Sequence, residues 1–273
     1  MSTEKGSALK NQAAYASSGT ARRYTKMADL FPGEEVLLER YRAQFAGDIL
    51  DIGIGAGRTT AAVAPAARSY LGIDLSPTMI AAAKERFPDQ DLRQMDMRAV
   101  PGNLHGRQFD VILISFNSID YIDWGERQTL IMLLGRMLTE TGLLIFSTHS
   151  LERLQEKPIR FRPPSAERPQ LITLFRRPVE HLKQWVRLGR WLLKAPWNRW
   201  VARKFEFQGD GFEVVNDSAE HFSLLTVYVD EPTQRRTLEE LGLEVVDRIG
   251  GDNPSGKSYF HYYIARRSRV GGT

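Results

Sequence analysis

Cysteine is absent from all 273 residues, which removes disulfides, thiolate metal sites and cysteine nucleophiles together. Long apolar runs are absent too, since none reaches the ~18 residues that a membrane-spanning helix needs. Met1 to Thr20 is polar and rich in Ala and Ser, without the apolar stretch of a secretory signal. The five histidines show no H-x-x-x-H spacing, so no metal site is expected. Internal repeats and low-complexity tracts are also missing. With 42% hydrophobic and 26% charged residues, the chain has enough apolar material for a core without staples. These features fit a cytoplasmic protein.

Charge is present but unevenly placed. Residues 157–204 hold 13 Lys and Arg against 2 Asp and Glu, although the whole chain is only +4. Four of the five tryptophans, Trp185, Trp191, Trp197 and Trp200, lie in the same stretch. That segment differs in kind from its flanks.

The flanks alternate between strand-like and helix-like patterns. Strands are predicted at 48–52, 69–74, 109–115 and 143–148, with Thr141-Gly142 as a turn before the last. Helices are predicted at 34–45, 59–67, 77–87 and 126–138. After the basic segment the pattern resumes with a helix over 231–241, capped by Asp230 and closed by Gly242. Two strands follow, at 243–249 and 259–265. Such alternation indicates a parallel sheet covered on both faces. Residues 1–150 and 230–273 then form one α/β core, and 151–229 an insertion after the fifth strand. Alternating apolar residues at 205–207 and 212–228 suggest short strands, giving that insertion an α+β character.

Asp51-Ile-Gly53-Ile-Gly55-Ala-Gly57 joins the first strand to a helix. Glycines let the backbone turn tightly there and approach a ligand, while the helix start offers free N–H groups. A dinucleotide fingerprint would need glycine at position 58, which is Arg58. Asp51 suits a cationic amine better than a pyrophosphate. Asp74, ending the second strand, is spaced to hold ribose hydroxyls. Amine plus adenosine points to S-adenosylmethionine; the alternative is a purely structural turn.

These residues carry a resemblance. Ile49-Leu-Asp-Ile-Gly-Ile-Gly-Ala-Gly-Arg58, Gly72-Ile-Asp-Leu-Ser-Pro-Thr-Met79, Gln94-Met-Asp96, Phe109-Asp-Val-Ile and the 141–146 turn and strand resemble class I S-adenosylmethionine-dependent methyltransferases. The likeness covers 48–149 and resumes over 230–267. It implies a Rossmann-like seven-stranded sheet, with the last strand antiparallel and the cap inserted after strand five. It further implies that Gly53, Gly55 and Gly57 line the methionine moiety and that Asp74 binds the ribose. Met79 and Met97 would flank the adenine, with Asp96 accepting from its amino group and Ser115 completing the site. Both methionines read equally well as core, and Asp96 as a turn acid.

Chemistry in such sheets occurs beyond the carboxyl ends of the strands. Ser115-Phe-Asn117-Ser-Ile-Asp120-Tyr121 follows the fourth strand, and Ser147-Thr-His149-Ser150 ends the fifth. An imidazole is poised near neutral pH, which makes His149 the candidate general base for a hydroxyl acceptor. It reads alternatively as a histidine bonded into a loop. Asn117 and Asp120 would orient His149 or the acceptor, or else cap the next helix, and Tyr121 would wall the acceptor pocket. Tyr24 suggests either a lid over the cofactor or helix packing.

Gly251-Asp-Asn-Pro-Ser-Gly256-Lys257-Ser258 matches a phosphate-binding loop by letter. Such a loop needs a helix after it, whereas Tyr259-Phe-His-Tyr-Tyr-Ile is strand-like. A hairpin is expected instead.

Within the insertion, 181–195 forms a helix with Leu182, Trp185, Val186, Leu192 and Leu193 on one face. Lys183, Arg187, Arg190 and Lys194 lie to its side, and Pro196 is expected to stop or kink it. A cap over the acceptor pocket is one reading. Peripheral contact of 179–204 with an anionic membrane, at the inner face, is another. An acidic acceptor is a third. Nucleic acid is disfavoured, because no recognisable binding module is present. The expectation for the whole chain is methyl transfer to a small-molecule or glycan acceptor. Glycan enters because 115–121 and 146–150 resemble bacterial methyltransferases associated with polysaccharide assembly. The alternatives are methylation of a small amine, and a non-catalytic cofactor-binding or membrane-scaffold protein.

Overall fold

Apolar runs long enough to be buried on both sides build the centre of the molecule. A computed structural model describes residues 29–159, 161, 178–217 and 221–268. Strands β1 (Asp48–Ile52), β2 (Ser69–Asp74), β3 (Asp91–Gln94), β4 (Phe109–Ile114) and β5 (Leu138–Ser150) are mutually parallel. Strand β10 (Phe260–Arg267) runs antiparallel against β5, and β9 (Leu243–Gly250) lies outside it. The order is therefore β3-β2-β1-β4-β5-β10-β9. These seven strands have the order and the mostly parallel sense that the resemblance implies, within a sheet that numbers ten strands in all.

Alternate residues of each strand serve opposite faces. Leu50, Ile52, Ile112, Ile114, Leu144, Phe146 and Tyr263 belong to one core cluster. Their neighbours Ile49, Val111, Leu113, Leu143, Ile145, Tyr262 and Ile264 belong to the other. A run such as Val111–Ile114 is continuous because both sides are covered by helices. Those helices are α1 (Pro32–Arg40), α2 (Arg58–Val63), α3 (Pro77–Arg86), α4 (Val100–Asn103), α5 (Trp124–Arg136) and α8 (Glu231–Glu240). Asp230 caps α8 through a 2.7 Å bond from the Thr233 N–H, and Gly242 follows at φ +78°, as predicted.

Strand β5 starts earlier than expected. Phe109 faces Leu138 but Val111 faces Leu143, so three extra residues of β5 bulge at that point. Thr141 and Gly142 sit in the bulge, and a Cβ on Gly142 would come within 2.8 Å of the Phe109 carbonyl. The predicted turn is thus an irregularity within one long strand.

The far end of β5 overhangs β4. His149 pairs with Phe260 of β10 on one edge and with Tyr228 of β8 (Leu225–Val229) on the other. Beyond the end of β4, β8 therefore takes the edge that β4 lines lower down. Strands β7 (Phe212–Asn216) and β6 (Phe207–Gln208) extend this small sheet antiparallel. Between β5 and these strands come α6 (Leu151–Glu156) and the 25-residue α7 (Pro178–Ala202).

Helix α7 departs from expectation twice. It runs on through Pro196, whose missing N–H costs one helical bond at an exposed position. More consequentially, Gln184, Trp191, Ala195 and Ala202 are its buried residues, whereas Leu182, Trp185, Val186, Leu192 and Leu193 are exposed. The predicted apolar face points away from the body, so it does not cover a pocket. Among the described residues, no helix is long and apolar enough to cross a membrane.

Gly251 to Ser258 forms the β9–β10 hairpin: the Gly251 N–H donates to Phe260 O, and Asp252 accepts from the Tyr259 N–H. Strand, not helix, follows it.

Candidate active site

The turn after β1 is built on conformations that only glycine adopts cheaply. Gly53, Gly55 and Gly57 have φ of +77°, +57° and +85°. A Cβ at Gly53 would press on Ser118 Oγ at 2.6 Å, and one at Gly57 on the Phe87 ring at 2.6 Å. Gly55 faces open space. Its N–H donates to Asp74 Oδ2 at 2.9 Å, while Asp74 Oδ1 accepts from the Ser76 N–H at 2.8 Å. Asp74 thereby ties the turn to the end of β2. Burial pushes its carboxyl up from the ordinary range, and the two N–H bonds oppose that. Each of its oxygens keeps a further lone pair for a hydroxyl donor.

Asp51 is wholly buried beneath this turn. Its Oδ2 accepts from Thr59 Oγ1 at 2.7 Å and from the Tyr70 hydroxyl at 2.8 Å. Its Oδ1 has no partner. Burial pushes the carboxyl up to about 6, with Thr59 and Tyr70 pulling the other way. An orphaned carboxylate oxygen beside an open glycine cradle suits a ligand that brings a cationic donor. Met79 packs on Ala56 of the turn, whereas Met97 leans on the core. Asp96 caps the short turn Met97–Ala99 and is gripped by Arg98, with Nη2 2.6 Å from Oδ2 and Nε 3.0 Å from Oδ1. Burial raises the Asp96 carboxyl, but Arg98 outweighs it and the net displacement is downward.

The second half of the site is a strained loop. Phe116 and Asn117 both have positive φ, +53° and +58°, immediately after β4. Non-glycine residues in that region each cost about 1–3 kcal/mol and persist where surroundings hold them. Here the Asn117 N–H donates to Ser147 Oγ at 2.7 Å. Asp120, fully buried, accepts from Thr148 Oγ1 at 2.7 Å, the His149 N–H at 2.8 Å and His149 Nδ1 at 2.8 Å. A carboxylate only accepts, so Nδ1 carries the proton and Nε2 presents its lone pair. The Asn117 amide lies 3.2 Å from Nε2. The His149 ring, 16% exposed, leans on Tyr228 at 4.9 Å. Ser115 is buried, and its carbonyl accepts from Ser118 Oγ at 3.0 Å. Ser118 is the residue that touches Gly53, so the loop and the glycine turn meet. Tyr121 is half-buried close to Tyr228.

Residues 49–142 match the model of a family described as a methyltransferase domain. Over that span the chain carries a methyltransferase domain, and the order of its sheet is the Rossmann-like one of the S-adenosylmethionine-dependent methyltransferases it is similar to. A protein of Geobacillus sp. (strain WCH70) named as a methyltransferase is 30% identical over 122 residues, 43% of this chain and 48% of its own. The chain spans about half the length of the curated relatives it matches. Among solved structures, a DhpI complex with S-adenosylhomocysteine aligns over 97% of this chain and 98% of its own, at TM-score 0.58 and 15% identity. The N-methyltransferase NodS of Bradyrhizobium japonicum aligns over 98% and 100%, at TM-score 0.51 and 16% identity. Those two likenesses are of fold.

Several residues around the candidate site escape sequence reasoning. Arg127 on α5 is fully buried, with Nε 3.7 Å from Asp120 Oδ1 and Nη2 donating to Gln234 Oε1 at 2.7 Å. Its guanidinium lies over the rings of Trp124 and Phe146. Burial lowers its pKa and Asp120 opposes this. An arginine in an amphipathic helix ordinarily faces water, so nothing in the local pattern marks it. Glu34 is likewise buried, accepting from the Tyr262 hydroxyl at 2.7 Å and pairing with Arg58. Arg58 in turn lies over Phe31 and Phe116, which stack at 5.1 Å. Tyr24 lies outside the described residues. His261 bonds to Arg248 at 2.8 Å, and burial depresses it to about 4.

Two grooves of about 320 and 390 Å³ lie at the opposite end of the sheet, lined around Gly135, Arg136 and Leu243 and around His105 and Met137. They sit at the amino ends of the strands, away from His149. Among the described residues, no three His, Asp or Glu converge as a metal would require.

Proposed function

We propose that the protein transfers a methyl group from S-adenosylmethionine to a hydroxyl of a small-molecule or glycan acceptor, with His149 as general base. The observation that carries this is the buried Asp120 carboxylate 2.8 Å from His149 Nδ1. It holds the imidazole with Nε2 as acceptor, on a loop that touches the glycine turn. Bound, S-adenosylmethionine would supply an activated methyl on a sulfonium, so the protein's task is alignment and removal of the acceptor proton.

In this reading Gly53, Gly55 and Gly57 accommodate the methionine moiety, and Asp51 Oδ1 receives its ammonium. Asp74 accepts from the ribose hydroxyls. Asp96 accepts from the adenine amino group beside Met79 and Met97, and Ser115 closes that wall. His149 takes the hydroxyl proton at Nε2 while Asp120 steadies the resulting imidazolium. The acceptor hydroxyl displaces the Asn117 amide from the Nε2 lone pair, Asn117 then orients the acceptor, and Tyr121 faces it. The same proposal takes 1–150 and 230–273 as the catalytic core, 151–229 as an insertion, and the cytoplasm as the place of action.

Titration with S-adenosylhomocysteine and transfer of labelled methyl into a hydroxyl acceptor test it. His149→Ala is expected to bind S-adenosylhomocysteine as the parent does, and to transfer about 10²–10⁴-fold more slowly. Undiminished transfer would remove His149 as the base and favour an amine acceptor, which needs none. Absence of any binding heat would favour a scaffold role.

A further inference from the structure

Helix α7 is fixed to the body by one face and leaves the other uncovered. Trp191 and Ala195 pack with Phe222 and Ile159, and Phe161 lies 5.1 Å from Trp191. Asn198 donates to the His221 carbonyl at 2.9 Å, and Arg199 Nη1 reaches Glu206 Oε1 at 2.5 Å. At about 100° per residue, Leu182, Trp185, Val186, Leu193, Trp197 and Trp200 fall on the side opposite that anchor. All six are exposed, Leu193 and Trp200 by 79% and 71%. Lys183, Arg187, Arg190 and Lys194 form a row along one flank of this apolar arc. Over 178–204 there are seven Lys and Arg and one acid, Glu180.

We propose that α7 docks the protein in the plane of an anionic phospholipid bilayer, with the tryptophan face at the headgroup boundary and the basic row on lipid phosphates. Charge decides the occupant. An apolar stripe with three exposed tryptophans beside a run of Lys and Arg complements a surface that is greasy below and negative above. A second copy of this chain complements it poorly, because antiparallel two-fold pairing would set the two basic rows side by side. A 25-residue helix spans about 37 Å, and with four cations along its flank it lies on a membrane rather than through it. The small sheet that anchors it is joined to β5 at His149. The proposal does not depend on the methyl-transfer reading.

The test is co-sedimentation of the full chain with vesicles of phosphatidylcholine alone or with about 30% phosphatidylglycerol. The anionic vesicles should bind about tenfold or more tightly, and ~1 M salt should weaken that binding. Trp185→Ala/Trp197→Ala/Trp200→Ala should weaken it about tenfold or more, with the S-adenosylhomocysteine titration and circular dichroism unchanged. Brominated lipid should quench tryptophan emission of the parent protein, a readout that needs no variant. Equal binding to both vesicle types, parent-like binding by the triple variant, or no quenching overturns the proposal. So does a dimer that the triple variant converts to monomer while neither binds vesicles.

Discussion

Asp51 and Asp120 are both fully buried carboxylates, yet their surroundings treat them in opposite ways. Asp120 is met on both oxygens by donors and lies near Arg127, whereas Asp51 keeps one oxygen unmatched. Removing one member of a buried charge pair leaves the other uncompensated, so Arg127→Met should cost about 3–5 kcal/mol in urea unfolding. Burial pushes the Asp51 carboxyl up to about 6 in the fold, from the 3.8 of an ordinary aspartate. The folded state therefore binds more protons than the unfolded state between those values, and stability falls as pH rises through that window. Asp51→Asn abolishes this slope, and melts at pH 4 and pH 7 should show the variant gaining relative to the parent at the higher pH. An ammonium placed on Oδ1 favours the charged form. Affinity for S-adenosylhomocysteine should consequently rise as pH climbs through about 6, with proton release measurable in buffers of different ionisation enthalpy. Flat affinity across that range would detach Asp51 from the ligand.

At the scale of elements, the glycine turn separates strain from space. Gly55 and Gly57 both have positive φ, but only at Gly57 does a Cβ also collide, with Phe87. Gly55→Ala should cost about 1–2 kcal/mol from conformation alone. Gly57→Ala should cost clearly more, and paired thermal melts read the difference directly. The strands and helices of the core were legible in the sequence because periodicity reports burial. Val111 to Leu113 reads as a buried strand since both faces are covered, and Asp230 and Gly242 mark the ends of α8 by chemistry that acts within a turn. Helix α7 shows the limit of the same signal. Its period located an apolar face correctly, but periodicity says only that the two sides of a helix differ. Gln184 and Ala195 are buried here and Leu193 is exposed, a choice made by Phe222 and Ile159, far away in sequence.

For the whole molecule, the decisive feature is the overhang of β5. By running past the end of β4, it presents His149 between β10 and β8 and meets the 116–120 loop, which the glycine turn also touches. A ligand there should protect the amides of 53–57 and 115–121 from hydrogen exchange. Those of 132–136, beside a groove at the other end, should remain unchanged. Protection confined to the latter would move the site.

The alternation of strands and helices, the glycine turn, Asp51, Asp74 and the candidacy of His149 were all determined by the sequence alone. Each depends on residue type at short spacing: burial period, turn conformations open to glycine, or the side chain that titrates near neutrality. Tertiary structure alone decided that Asp120 holds Nδ1, that Arg127 and Gln234 lie buried behind it, and that Arg98 grips Asp96. It also set Glu34 under Tyr262 and turned the tryptophans of α7 outward. Those relations join residues on different elements, where what a polar group meets depends on which strands lie side by side, and no local spacing encodes that.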